Sequence, residues 1–484
     1  MNTLSTPNPS PGEGKKNRRV WPIVLVSLAV AGLVCAVCAG ATLFVGMKAL
    51  DMAQLPSPTA ARLAAATATP PQIPSATPAP ANPGQTPRPA PSPTPQAALT
   101  NTVSITDTQM QLRVFRQLWD AVNTSYVYTN FNGLDWEKVR ASQEARINAG
   151  MVFTDFYDDM RGVVESLNDN HSSFLSPEEV QTENAEYEGK DAYVGVGVRW
   201  DMSRDKKYVF VLQTMANSPA EKGGVKAHDH ILAINGEPVI NGNELRMDRA
   251  RGVSGTPVTL TLQAPGGQPR DVVLIRGDVS GAARVEYRVI NNAGKKYGYI
   301  LIPTLFEQTI GQKTREALRA LNKNTTLDGI ILDMRINGGG AYPILTETLG
   351  FFTTGEIGRL VNRSQRPQVI RVKAEPIGKS QTLPLVVLMG PSTESYAEVF
   401  SGALQAKGRA ALIGSESAGN IETLRLHEFK DGSAAWIAEE TFRLPNGTGW
   451  EGKGLTPDVR VDKNWDEFTE DDDPGIAAAL NYFK

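Results

Sequence analysis

Residues Leu385 to Asn420 read LVVLMGPSTESYAEVFSGALQAKGRAALIGSESAGN, and the fold turns on how this stretch divides. Leu385-Val386-Val387-Leu388-Met389 is a short apolar run between Pro384 and Gly390, the pattern of a buried strand. A polar turn follows, Gly390 to Glu394. From Ser395 the apolar spacing becomes helical, through Tyr396, Val399, Phe400, Ala403 and Leu404. Gly408 closes the helix, and Ala410-Ala411-Leu412-Ile413 forms a second apolar strand. Strand, helix and strand in this order predict a parallel crossover unit and an α/β core. A serine at a strand-to-helix turn has its hydroxyl held by rigid elements, and the free N–H groups of the new helix face whatever it attacks. Ser395 is therefore a candidate nucleophile. Serine is also a favoured helix N-cap, and the stretch alone leaves both roles open.

The preceding segment repeats the alternation. Tyr297 to Ile302 reads as a strand, Thr309 to Leu321 as an amphipathic helix and Leu327 to Arg335 as a buried strand. That last strand ends in Asn337-Gly338-Gly339-Gly340. Glycines let backbone N–H groups approach a substrate carbonyl closely. Gly339 or Gly340, together with the N–H of Tyr396, could form an oxyanion hole. A plain turn before a helix at Tyr342 to Leu349 is the alternative.

A chain of 484 residues suggests two or three domains. Its net charge of -3 and the lack of a basic stripe give no argument for nucleic acid. The two cysteines, Cys35 and Cys38, both lie in one apolar segment. This excludes a disulfide scaffold, a cysteine nucleophile and a thiolate zinc site from the rest of the chain. With four histidines, His171, His228, His230 and His427, no metal site is expected, and no cofactor is implied.

Polar residues 1–19 end in a basic cluster, Lys15, Lys16, Arg18 and Arg19, and residues 20–47 carry no charge until Lys48. That length predicts a single transmembrane helix with a cytoplasmic N-terminus; a cleaved signal peptide is the alternative. Residues 48–100 are rich in Pro, Ala, Thr and Ser and read as an extended spacer. Residues 101–186 read as a helical cap, with Leu112, Phe115, Leu118, Trp119 and Val122 on one face. The cap ends in a polar loop, Asn168 to Glu179. The acidic run after Trp465 reads as a solvated face.

Residues 187–277 are rich in β-type segments. Gly195-Val196-Gly197-Val198 opens them, and SPAEKGGVKAHDHILAINGEPV follows from Ser218. This region resembles a PDZ domain. The resemblance implies that the turn at Gly195, Val196, Gly197 and Val198 holds a peptide C-terminal carboxylate through backbone N–H groups, while the peptide adds a strand beside it. His228 and His230 read as surface or packing residues.

The whole order is a helical cap, the PDZ-like region, LDGIILDMRINGGG, the serine-bearing stretch and GLTPDV. It resembles the C-terminal-processing, or tail-specific, serine peptidases and their tricorn-core relatives. The resemblance implies an α/β peptidase core of the ClpP/crotonase type over residues 278–484, with the PDZ domain inserted after the cap. It implies Ser395 as nucleophile and a structural role for Glu398. Many members carry a lysine base where this chain has Asn420, whose carboxamide cannot take a proton near neutral pH. The nearby Lys407 falls on the helix, where a solvated charge is expected. The tricorn-like pattern instead implies His171, in DNHSSF, as base and Glu451, in WEGKGLTPD, as the carboxylate that orients it. His427 is the fallback base. The expected function is a membrane-anchored, extracytoplasmic serine endopeptidase acting on protein substrates with extended C-terminal tails. A PDZ scaffold that lost its base is the alternative. The oligomeric state is not legible.

Overall fold

The computed structural model describes residues 104–242 and 244–484. The expected cytoplasmic tail, transmembrane helix and proline-rich spacer lie outside these residues. Among the described residues no helix is long and apolar enough to cross a membrane.

The cap holds α1 (Ile105–Ser125), α2 (Trp136–Asn148) and α3 (Phe153–Glu165), then a short strand β1 (Ser173–Leu175) and α4 (Pro177–Glu188). Local chemistry sets the ends. Ser104 Oγ accepts from Asp107 N at 3.0 Å at the start of α1. Ser176 and Glu179 form a reciprocal capping box at α4, with Pro177 in the first turn. The apolar faces meet in a core that includes Phe115, Tyr126, Phe156 and Met160, all fully buried. The segment read as a polar loop differs from that reading, because Ser173–Leu175 is a strand. Phe174 decides it: the ring is buried in the cap core, stacked on Phe429 with centroids 6.0 Å apart.

The PDZ region contains β2 (Ala192–Gly195), β3 (Val198–Met202), β4 (Val209–Thr214), α5 (Pro219–Lys222), β5 (His230–Ile234), β6 (Pro257–Gln263), β7 (Arg270–Ile275) and β8 (Gly277–Ser280). Its main sheet runs β7-β6-β5-β4-β3, so β3 is an edge strand, and β2 pairs with β8. Period-2 burial along β6 places Val258, Leu260 and Leu262 in a core of their own.

The peptidase-like core contains β9 (Glu286–Asn292), β10 (Lys295–Leu301), α6 (Ile310–Lys323), β11 (Gly329–Asp333), α7 (Tyr342–Gly350), β12 (Gly355–Asn362) and β13 (Pro367–Val372). It continues through β14 (Leu385–Met389), α8 (Tyr396–Ala406), β15 (Ala411–Gly414), β16 (Glu422–Glu428), β17 (Ala434–Arg443), β18 (Val459–Arg460) and α9 (Pro474–Tyr482). One sheet runs β9-β10-β11-β14-β15-β18, parallel from β10 onward. Every residue of β11 and β14 is buried, as expected for strands covered on both faces. A second, antiparallel sheet runs β1-β17-β12-β13, with β16 also on β17. The cap strand β1 thus joins the core directly, with Ser173 opposite Trp436.

The C-terminal acidic segment is not simply a solvated face. Asp473 is buried and takes Arg335 Nη2 at 2.6 Å, and Arg335 also binds Asp333, which is fully buried. Trp465 donates from Nε1 to Val211 O at 3.1 Å, and His228 stacks on its ring. His228 and His230 reach the carbonyls of Trp465 and Asp466, at 2.6 and 2.8 Å. The tail therefore clasps the PDZ sheet to the core, and the two histidines are part of that clasp.

Candidate active site

Ser395 closes the turn that follows β14, one residue before α8, with φ 55° and ψ −127°. That backbone is unfavourable for any residue with a Cβ, and such strain persists only where the surroundings fix it. Here they do. Ser395 N donates to Asn420 O at 3.0 Å and to Glu398 Oε2 at 3.2 Å. Glu398 is fully buried and also accepts from Gly419 N and Asn420 N, both at 2.9 Å, and from Ser417 Oγ. Burial pushes its carboxyl up, and these donors oppose that rise. Glu398 therefore ties the serine turn to the 417–420 turn. Ser395 is also the N-cap residue of α8, with Glu398 Oε2 taking its backbone N–H as in a capping box, so the cap and nucleophile readings meet on one residue.

The glycine strand end lies against this turn. Asn337, fully buried, donates from Nδ2 to Ile302 O at 2.9 Å and accepts from Glu394 N on its carbonyl at 3.1 Å. A Cβ on Gly339 would stand 2.6 Å from Ser395 Cβ and 3.0 Å from Tyr396 N, so glycine is required by contact as well as by its φ of +92°. Gly339 cannot be an oxyanion donor in this arrangement, because its N–H is held by Asn337 Oδ1 at 2.9 Å. Among the described residues, the backbone N–H groups of Gly338, Gly340 and Tyr396 meet no backbone acceptor. The donor set that the geometry leaves is Tyr396 with Gly338 or Gly340.

His171 arrives from the cap, two residues before β1. Its N–H donates to Asp169 Oδ1 at 2.9 Å, as does Ser172 N at 2.8 Å, and Ser172 Oγ accepts from Ala438 N on β17. Asn170 O lies 3.5 Å from Asn420 Nδ2, and Asn420 O holds Ser395 N. These links bring the histidine loop to the serine turn. Asn420 Nδ2 also donates to Glu394 Oε1 at 2.7 Å. The carboxylate facing His171 is not Glu451 but Glu422, which no sequence signal singled out: its Oε2 lies 3.6 Å from Nδ1. Tyr128 OH donates to Glu422 Oε1 at 2.6 Å. Glu451 instead accepts from Ile421 N at 2.8 Å. Burial and the neighbouring Glu422 push the Glu451 carboxyl up to about 8, whereas His171 and Tyr128 lower that of Glu422 despite burial. His427 is remote from this cluster in its bonding and pairs with Glu439 at 2.6 Å.

In the PDZ region, Val196 O accepts from Ala220 N at 2.8 Å and Gly197 O from Met215 N at 3.0 Å. Because C=O and the next N–H point oppositely across a trans peptide, the N–H groups of Gly197 and Val198 face away from those partners. A cavity of about 460 Å³ lies between this region and the core. Val198, Arg199 and Met215 line one side of it, and Gly338, Gly339 and Gly340 the other.

Residues 296–461 match peptidase family S41, residues 189–263 the PDZ domain and residues 111–164 the tricorn protease C1 domain. The core of the chain thus carries a peptidase family S41 domain, preceded by a PDZ domain. The chain is 28% identical over 363 residues to the carboxy-terminal-processing protease of Bartonella bacilliformis, covering 74% of this chain and 76% of that one. It is 29% identical over 304 residues to a probable CtpA-like serine protease of Staphylococcus aureus, covering 62% and 59%. Among solved structures, the photosystem II D1 C-terminal processing protease matches with a TM-score of 0.53 and 26% identity, over 73% of this chain and 93% of that one. An S41 peptidase architecture with a PDZ domain is thus common to sequence and structure.

Proposed function

We propose that this S41 peptidase is a serine endopeptidase that takes extended C-terminal tails of protein substrates on its PDZ edge and cleaves them at Ser395. His171 is the general base: it takes the Ser395 proton as Oγ attacks the scissile carbonyl carbon. The resulting oxyanion is held by the N–H of Tyr396 with that of Gly338 or Gly340. The amine leaves with the proton from His171, and water then hydrolyses the acyl-enzyme by the same route. Among the described residues Ser395 Oγ has no hydrogen bond to His171. Such bonds are commonly loose without substrate and tighten when it arrives.

The observation that carries this reading is the shared cavity. The start of β3, where a peptide strand would add, and the glycine strand end beside Ser395 open onto one space. The same reading places the peptidase outside the cytoplasm on a tether, supported by the basic cluster, the uncharged segment 20–47 and the spacer 48–100.

The test is cleavage of an unstructured protein by the full chain, with the substrate C-terminus either free or amidated. The wild type should cleave, and Ser395→Ala should not. His171→Ala should lower kcat roughly 10²-fold or more, and amidation should raise KM. Turnover that survives Ser395→Ala would overturn the reading.

A further inference from the structure

We infer that Glu422, not Glu451, is the carboxylate that positions His171. The inference rests on the reading of His171 as the base. His171 Nδ1 and Glu422 Oε2 are 3.6 Å apart, and each is a buried polar atom with no other partner. Two buried polar atoms left facing each other are best explained as a pair that closes by a small movement. The rest of Glu422 is already fixed. Its other oxygen is held by Tyr128 OH, and its backbone is in β16, opposite Thr441 of β17. Glu422 is only 3% exposed, so a charge there needs a cationic partner, and the imidazolium formed during acylation is the one that the geometry offers.

Glu451 cannot share that role. The groups facing the pair are Tyr128 and His171 from the cap, Glu398 from α8 and, behind Tyr128, Asp169 with Tyr126. Burial and the charge of Glu422 raise the Glu451 carboxyl, so the two do not readily ionise together. Glu422 has the histidine and the tyrosine, so it keeps the charge. Glu451 has one backbone donor, Ile421 N, and burial with the neighbouring Glu422 pushes its carboxyl up to about 8. A neutral carboxyl cannot offset an imidazolium. In the reaction the proton moves from Ser395 Oγ to His171 Nε2, while Nδ1–H turns to Glu422 and stays on the ring.

The experiment compares Glu422→Gln and Glu451→Gln in the full chain. Turnover of an unstructured protein is followed from pH 5 to 9, and His171 is titrated by NMR with labelled histidine in the Ser395→Ala background. Glu422→Gln should lower kcat roughly 10²-fold or more at pH 7 with KM within about twofold. It should also lower the His171 titration midpoint by roughly 1 pH unit. Glu451→Gln leaves the His171–Glu422 pair and the bond from Ile421 N in place, and should leave kcat and the midpoint within about threefold and a few tenths of a unit. The reverse ranking, or an unmoved His171 midpoint in Glu422→Gln, would overturn the inference while leaving the base assignment intact. Near-normal turnover in His171→Ala would overturn both. The NMR readout keeps the test valid if a variant loses activity through a small change of shape.

Discussion

At Ser395 the chain accepts an unfavourable backbone for the sake of where the side chain points. A φ of 55° with ψ of −127° suits glycine and costs any other residue on the order of 1–3 kcal/mol. Ser395→Gly should therefore be more stable than Ser395→Ala by about 1 kcal/mol, read as a higher melting temperature, with both variants inactive. A residue serving only as a helix cap would not need this geometry. Asn420, where the sequence resemblance leads to the expectation of a lysine, has an equally local reading. Its backbone is built into the Ser395 and Glu398 contacts, but its side chain bonds to Glu394. Asn420→Ala keeps the backbone and should change kcat/KM by less than about tenfold, because no proton passes through a carboxamide. A loss comparable to that of Ser395→Ala would contradict this.

At the scale of elements, the site is assembled from ends: β11 delivers the glycines, β14 and α8 the serine, β1 the histidine and β16 the carboxylate. The first two were legible in the sequence, because uninterrupted apolar runs and a change to helical spacing report buried parallel strands and the helix after them. The strand β1 was not. Three residues carry no period, and Phe174 is fixed by Phe429, far along the chain. Glu422 was invisible for the same reason, since it sits in an alternating strand and its meaning comes from Tyr128, nearly 300 positions away. Arg335 shows how an end is held. It lies two residues beyond β11, with its guanidinium between Asp333 and Asp473 and its face against Trp465 and Phe468. Arg335→Met would leave two buried carboxylates without their cation. It should destabilise the chain by about 3–5 kcal/mol, measured by urea denaturation, and loosen the glycine strand end with it.

Over the whole molecule, the carboxyls around His171 should make stability depend on pH in opposite directions. The Glu451 carboxyl is raised from its ordinary 4.5 to about 8 in the folded chain. Between those values the unfolded chain ionises while the folded chain holds the proton, so its contribution is full below about 4.5 and lost as pH rises through about 8. Glu422 is lowered, so its contribution is present above the ordinary carboxylate range and lost in acid. Glu451→Gln should flatten the fall of melting temperature between pH 5 and 8 and leave the acid limb in place. The cap brings His171 and Tyr128 to Glu422 and Asn170 to Asn420, whose carbonyl holds Ser395 N, which is why a serine, a histidine and a glutamate so distant in sequence come together. Labelling of the full chain with a fluorophosphonate probe, mapped by mass spectrometry, tests that convergence most directly. The account predicts one adduct, on Ser395, absent in Ser395→Ala and formed roughly 10²-fold more slowly in His171→Ala. An adduct on another serine, or an undiminished rate in His171→Ala, would contradict it.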